Sequence, residues 1–98
     1  MICFDFEWDL DKAKSNMKKH GVTFEEAATV MHDPGAMNMY DPDHSVSEDR
    51  WITLGISSSG RLLVVCHTFR EGPDALVTVR IYSARRPTSK EIKNYKGA

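Results

Sequence analysis

Three groups of side chains in this sequence have the types and spacing to handle a phosphate and move a proton. The first is Lys12, Asn16, Lys19 and His20, with Lys12, Asn16 and Lys19 at i, i+4 and i+7, a single polar stripe on a helix. The second is the run His44-Ser45-Val46-Ser47-Glu48-Asp49-Arg50. The third is Arg70, Arg80, Arg85 and Arg86, which fall near strand ends. Arginines gathered on one sheet repel one another unless acids or a phosphate lie between them, and a guanidinium matches phosphate oxygens two at a time. Cleaving RNA without a metal needs a base for the 2′-hydroxyl, an acid for the departing 5′-oxygen, and cations for the crowded phosphate. His20, His44 and Glu48 are candidates for the proton transfers, and the Arg and Lys side chains for the charge.

Each residue also has a plainer reading. His20 at a helix C-terminus serves equally as a dipole partner. His44 follows Asp-Pro-Asp in a turn, where exposed side chains are common. Glu48 and Arg50, two apart on a strand, would pair at the surface for roughly 0–1 kcal/mol. Arg80, flanked by apolar strand residues, can pair with an acid on a neighbouring strand. Trp8 can anchor the first helix or stack a base. The histidines form no ligand pair at helical spacing, so neither a metal nor a cofactor is expected.

Composition narrows the class. A chain of 98 residues, 41% hydrophobic and 28% charged, suits one domain spanning 1–98. The net charge of −1 supplies no global field toward nucleic acid or anionic membrane, so any phosphate partner must meet a local patch. Cys3 and Cys66 each sit in an apolar run and read as reduced, buried thiols. With no secretory pattern and no apolar run near ~18 residues, the expectation is a cytoplasmic protein that does not engage a membrane.

The positioning elements follow from periodicity and caps. Ile2 to Glu7 reads as a strand. Asp9 caps a helix to His20, with Leu10, Ala13 and Met17 as its buried stripe and Gly21 as its stop. Thr23 and Glu26 form a capping box for a second helix, which Asp33-Pro34-Gly35 ends. Strands are expected at Ala36–Tyr40, Glu48–Ser57, Arg61–Arg70 and Ala75–Arg85, the third of these apolar on both faces and therefore central. Thr88 and Glu91 cap a last short helix. The order β-α-α-β-β-β-β-α predicts an α+β fold: an antiparallel sheet with two N-terminal helices and a short C-terminal one.

One ordered set of motifs spans nearly the whole chain. It comprises Phe6-Glu7-Trp8-Asp9, Lys12-Ala13, Asn16, Lys19-His20-Gly21-Val22, Phe24-Glu25-Glu26-Ala27, Asp33-Pro34, Asp41, His44-Ser45, Glu48-Asp49-Arg50, Gly55, Gly60-Arg61, Thr68 and Arg80-Ile81-Tyr82-Ser83-Ala84-Arg85. This set resembles the BrnT family of type II toxin–antitoxin toxins, which is similar in fold to RelE-like ribonuclease toxins. The chain departs from the family in having Glu48-Asp49 where two Glu are more usual, and in its short tail after Arg85.

The resemblance implies a metal-independent RNA endonuclease that inhibits translation. It also implies a cognate BrnA-like ribbon-helix-helix antitoxin, with operator DNA met only through that antitoxin. Lys19, His20, His44, Glu48, Arg50, Arg80 and Arg85 fall on matching positions. Together with the residue reading, this makes His20, Glu48, Arg50 and Arg80 the expected catalytic set, and Lys12, Lys19, His44, Arg70 and Arg85 the expected RNA-binding set. The alternative is an antitoxin-binding module with weak or no nuclease activity.

Overall fold

Local signals set the helix boundaries. In the computed structural model, which describes residues 2–97, the side chain of Asp9 accepts a hydrogen bond from the Lys12 N–H at 3.0 Å and starts α1 (Leu10–His20). Gly21 ends it at φ 68°, a left-handed conformation that a Cβ would strain. Thr23 Oγ1 accepts from the Glu26 N–H at 3.1 Å and opens α2 (Phe24–Thr29), which tightens into a 3₁₀ turn at Val30–His32. Only half of the expected capping box forms there. The Glu26 carboxylate turns away to Arg61, Ser57 and Ser59. At α3 (Ser89–Gly97) the box is complete, with Thr88 and Glu91 each accepting from the other's N–H. Met1 and Ala98, the ends of the expected 1–98 domain, lie outside the described residues.

The strands are β1 (Cys3–Glu7), β2 (Met37–Tyr40), β3 (Trp51–Ile56), β4 (Leu62–Glu71) and β5 (Leu76–Arg85), arranged β1-β5-β4-β3-β2. β2 to β5 form an antiparallel meander. The all-antiparallel expectation is corrected at β1, which runs parallel to β5 from Cys3↔Leu76 to Glu7↔Arg80. Short turns force alternation of direction within the meander, whereas β1 reaches the sheet through two helices and is free of that constraint. As the first residue of an edge strand, Cys3 is exposed, against the expectation of a buried thiol. β3 starts at Trp51, so Glu48 and Arg50 belong to the preceding loop.

Val22, Phe24, Ala27 and Val30 pack against Leu63, Val65, Val79, Ile81 and Ala84 on one sheet face, all buried. β4 is central, with Leu63, Val64 and Val65 buried in succession. The expected buried stripe of α1 holds only at Ala13, half-buried against the core: Leu10 and Met17 are 72% and 50% exposed, and Asn16 is buried at 7%. The reason lies in β5. Its register with β1 stops at Arg80, which leaves the backbone of Ala84 without a strand partner on that side. Asn16 supplies one. Its Nδ2 donates to Ala84 O at 2.8 Å and to Val22 O at 3.0 Å, and its Oδ1 accepts from Ala84 N at 3.1 Å.

Asn16→Ala orphans these buried backbone groups and should cost about 2–4 kcal/mol. Leu10→Ala should cost under about 0.5 kcal/mol. Denaturant midpoints measure both.

His67 is fully buried, its Nε2 2.6 Å from Thr53 Oγ1, and burial pushes its pKa down to about 4. As pH falls from 6.5 toward 4, the unfolded chain gains a proton that the folded chain refuses. Stability should therefore drop there by up to about 1.4 kcal/mol per pH unit. His67→Phe should flatten that limb. Arg61 and Arg85 hold Glu26 and Glu91 at about 2, so the support of these two carboxylates is present above pH 4.5 and is lost as pH falls toward 2.

Candidate functional site

The loop between β2 and β3 is built by short-range polar contacts. Pro42–His44 makes one 3₁₀ turn. The Ser45 hydroxyl donates to Asp41 O at 2.6 Å and accepts from Arg50 N at 2.9 Å, while Asp41 N donates to Arg50 O at 2.9 Å. This closes the loop and sets Arg50 beside Asp41. The Asp41 carboxylate, 11% exposed, holds His44 Nδ1 at 2.7 Å; the imidazole is 66% exposed and leaves Nε2 free. A carboxylate behind an imidazole fixes its tautomer and its aim. Arg50 Nη2 lies 3.5 Å from Glu48 Oε1, and its guanidinium carbon sits 4.2 Å from the centroid of the Tyr82 ring.

Tyr82 owes its position to an irregularity in pairing. The β4–β5 register steps from Cys66↔Ser83 to His67↔Ile81, which makes Tyr82 an extra residue on β5. Such a bulge re-aims side chains. The ring contacts Arg50, and Tyr82 also lines an open cleft of about 350 Å³ between α1 and β5, shared with Asp11, Lys12, Asn16, Lys19 and His20. Burial raises the Tyr82 hydroxyl above its ordinary pKa and does the same to the neighbouring Cys66 thiol.

The expected residues therefore fall into two joined groups and some outliers. Lys12, Lys19 and His20 share the α1 cleft. His44, Glu48 and Arg50 gather on the β2–β3 loop. Arg80 stands opposite Thr68 on β4 and Glu7 on β1, its Nη1 3.6 Å from Glu7 Oε1. Trp51 pairs with His67 and Thr68 with Arg80, so Arg50, just before β3, and Arg80, on β5, lie on either side of β4. Arg70 is exposed opposite Thr78, two residues along β4 from Thr68. Arg85 is held apart: Nη1 and Nη2 donate to Glu91 Oε1 and Oε2 at 2.8 and 3.0 Å, which fastens α3. Asn16 forms the floor of the cleft as a structural clamp, and Trp8 packs edge-on against Phe24 at 6.0 Å.

Asp41 and Tyr82 join these candidates in the structure, though neither belongs to the three polar groups of the sequence. The i, i+3 spacing of Asp41 and His44 in a turn was a usable signal. So was the break in alternation on β5, where the inward residues run Val77, Val79, Ile81 and then Ala84. No three His, Cys, Asp or Glu side chains converge as a metal site among the described residues.

Residues 8–91 match the family model described as "Ribonuclease toxin, BrnT, of type II toxin-antitoxin system". The chain belongs to the BrnT family. The matched span contains α1, the β2–β3 loop and all of β5, the elements that carry the candidate residues. The BrnT ribonuclease toxin of Brucella abortus, known from a crystal structure, has a similar fold. It matches with a TM-score of 0.58 and 18% identity, over 89% of this chain and 100% of that one. None of the curated proteins matches the sequence.

In this BrnT-family chain the two kinds of arginine should separate in stability measurements. Arg85→Ala, which frees α3, should lower stability by about 1 kcal/mol after allowance for solvent screening. Arg50→Ala should change it by less than about 0.5 kcal/mol. Thermal unfolding of the two variants checks this.

Proposed function

We propose that this BrnT-family chain is a metal-independent RNA endonuclease that inhibits translation in the cytoplasm and is neutralised by a BrnA-like ribbon-helix-helix antitoxin. It would meet operator DNA only through that antitoxin. A kinship with RelE-like ribonucleases belongs to the same reading. The observation that carries it is the juxtaposition of a carboxylate-held imidazole, His44 on Asp41, with the guanidinium of Arg50 on one short loop.

In this reading RNA lies over the sheet face that carries Arg50, Arg80 and Arg70, and Arg50 and Arg80 hold the scissile phosphate. A base removes the 2′-hydroxyl proton, the 2′-oxygen bonds to phosphorus, and the bond from phosphorus to the 5′-oxygen breaks. That oxygen takes a proton from an acid, leaving a 2′,3′-cyclic phosphate and a 5′-hydroxyl. Glu48 and His20 are the bases expected from sequence. His44, the third proton-transfer candidate, is favoured by the geometry, since its exposed ring is held at Nδ1 by Asp41 and its Nε2 suits either transfer. Lys12, Lys19 and His20 would track the strand along the α1 cleft.

A second reading has its own support. Arg50, Arg61, Arg80 and Arg85 each lie within 4.0 Å of a carboxylate, on Glu48, Glu26, Glu7 and Glu91. A surface already compensated in this way suits a module that mainly holds an antitoxin, with little nuclease activity.

Purified protein should cleave RNA in excess EDTA. Arg50→Ala and His44→Gln should each lower kcat by about 100-fold or more with unchanged melting. Arg80→Ala should relieve growth arrest on expression. Full cleavage by Ala variants of His20, His44, Glu48, Arg50 and Arg80 alike would sink the site assignment. Intact RNA together with tight binding of the neighbouring gene's product would favour the second reading. RNA affinity should weaken steeply between about 50 and 200 mM salt.

A further inference from the structure

We propose that Tyr82 is a positioning residue for Arg50, its ring seating the guanidinium beside the part of β5 that β1 does not cover; this rests on the RNA-cleavage reading above. Arg50 has little else to direct it. Its backbone is pinned by Ser45 and Asp41, but the side chain has only the 3.5 Å approach to an exposed Glu48, and a pair of that kind leaves direction loosely defined. The Tyr82 ring, with its centroid 4.2 Å from the guanidinium carbon, gives that group a seat. A guanidinium seated over a ring can still present N–H groups to two phosphate oxygens at once.

Three features place the ring there. The bulge makes Tyr82 the extra residue and turns it toward the face that carries Arg50. The β1–β5 register ends at Arg80, so the strand edge beside Tyr82 has no neighbouring strand in its way. Tyr82 also lines the cleft that holds Lys12, Lys19 and His20, so it touches both groups of candidate residues. Arg50 and Asp41 act on its hydroxyl, with the Cys66 thiol beside them, and Asp11, Lys12, Lys19 and His20 line the same cleft. Tyr82 touches no reacting atom in this role; it acts through Arg50.

Tyr82→Phe and Tyr82→Leu separate this role from plain packing. On a short RNA, Tyr82→Leu should lower kcat about 10–100-fold while KM moves less than about threefold. Tyr82→Phe, which keeps the ring, should stay within about twofold of the parent. In an Arg50→Ala background Tyr82→Leu should cause no further loss. Where Leu unsettles the fold, Tyr82→Ile takes its place. Full activity of the Leu variant, equal loss in Phe and Leu, or additive losses in the double variant would each overturn the proposal. A second measurement needs no activity. The Arg50 Nε–Hε NMR resonance should be ring-shifted in the parent and in Tyr82→Phe, and should relax to an ordinary position in Tyr82→Leu. An identical resonance in all three overturns the clamp. A parent that cuts no RNA but shows the ring shift overturns the nuclease reading alone.

Discussion

The side-chain amide of Asn16 stands where a neighbouring strand would otherwise have to be. It returns to Ala84 both a donor and an acceptor, as a peptide group would, and spends its second N–H on Val22. One residue thereby joins α1, the turn into α2 and the last strand. Buried backbone groups that lack partners are costly, so the docking angle of α1 answers to this clamp more than to its apolar side chains. The tilt that buries Asn16 leaves Leu10 and Met17 in solvent and turns Lys12, Lys19 and His20 along the edge of β5. The cationic wall of the cleft follows from a hydrogen-bonding constraint.

This shows where the sequence was legible and where it was not. Caps and breakers act within a few residues, so Asp9, Gly21, Thr23 and Thr88 placed the helix ends well. The apolar run at Leu63–Val65 correctly marked a strand covered on both faces. Asn16, by contrast, looked like one more polar member of an exposed stripe. Its true partner lies at Ala84, and nothing local reports that. The parallel seating of β1 and the bulge at Tyr82 were hidden for the same reason, since register is a property of two strands at once. Of the expected site residues, those on one element stayed together, while Arg85 went to Glu91, a partner already named as a cap residue.

Charge in this BrnT-family chain is arranged in compensated pieces. Asp41 stands behind His44, Glu48 beside Arg50 and Glu7 beside Arg80. Each acid lowers the local field, and the chain as a whole carries −1. The result is a surface whose cations are individually aimed but collectively quiet. Long-range attraction to polyanions is weak in such a protein, so selectivity rests on contact geometry.

The pairing of β1 with β5 joins Cys3 to Leu76 and Glu7 to Arg80, nearly the two ends of the described chain. During synthesis β1 and α1 are made well before β5, the strand on which both dock. Eleven residues of helix are too few to persist alone, and the clamp of Asn16 waits for Ala84. Contacts so distant in sequence form late and slowly. The cleft therefore waits for β5: until that strand is in place, Lys12, Lys19 and His20 lack the wall that Tyr82 and Ser83 supply.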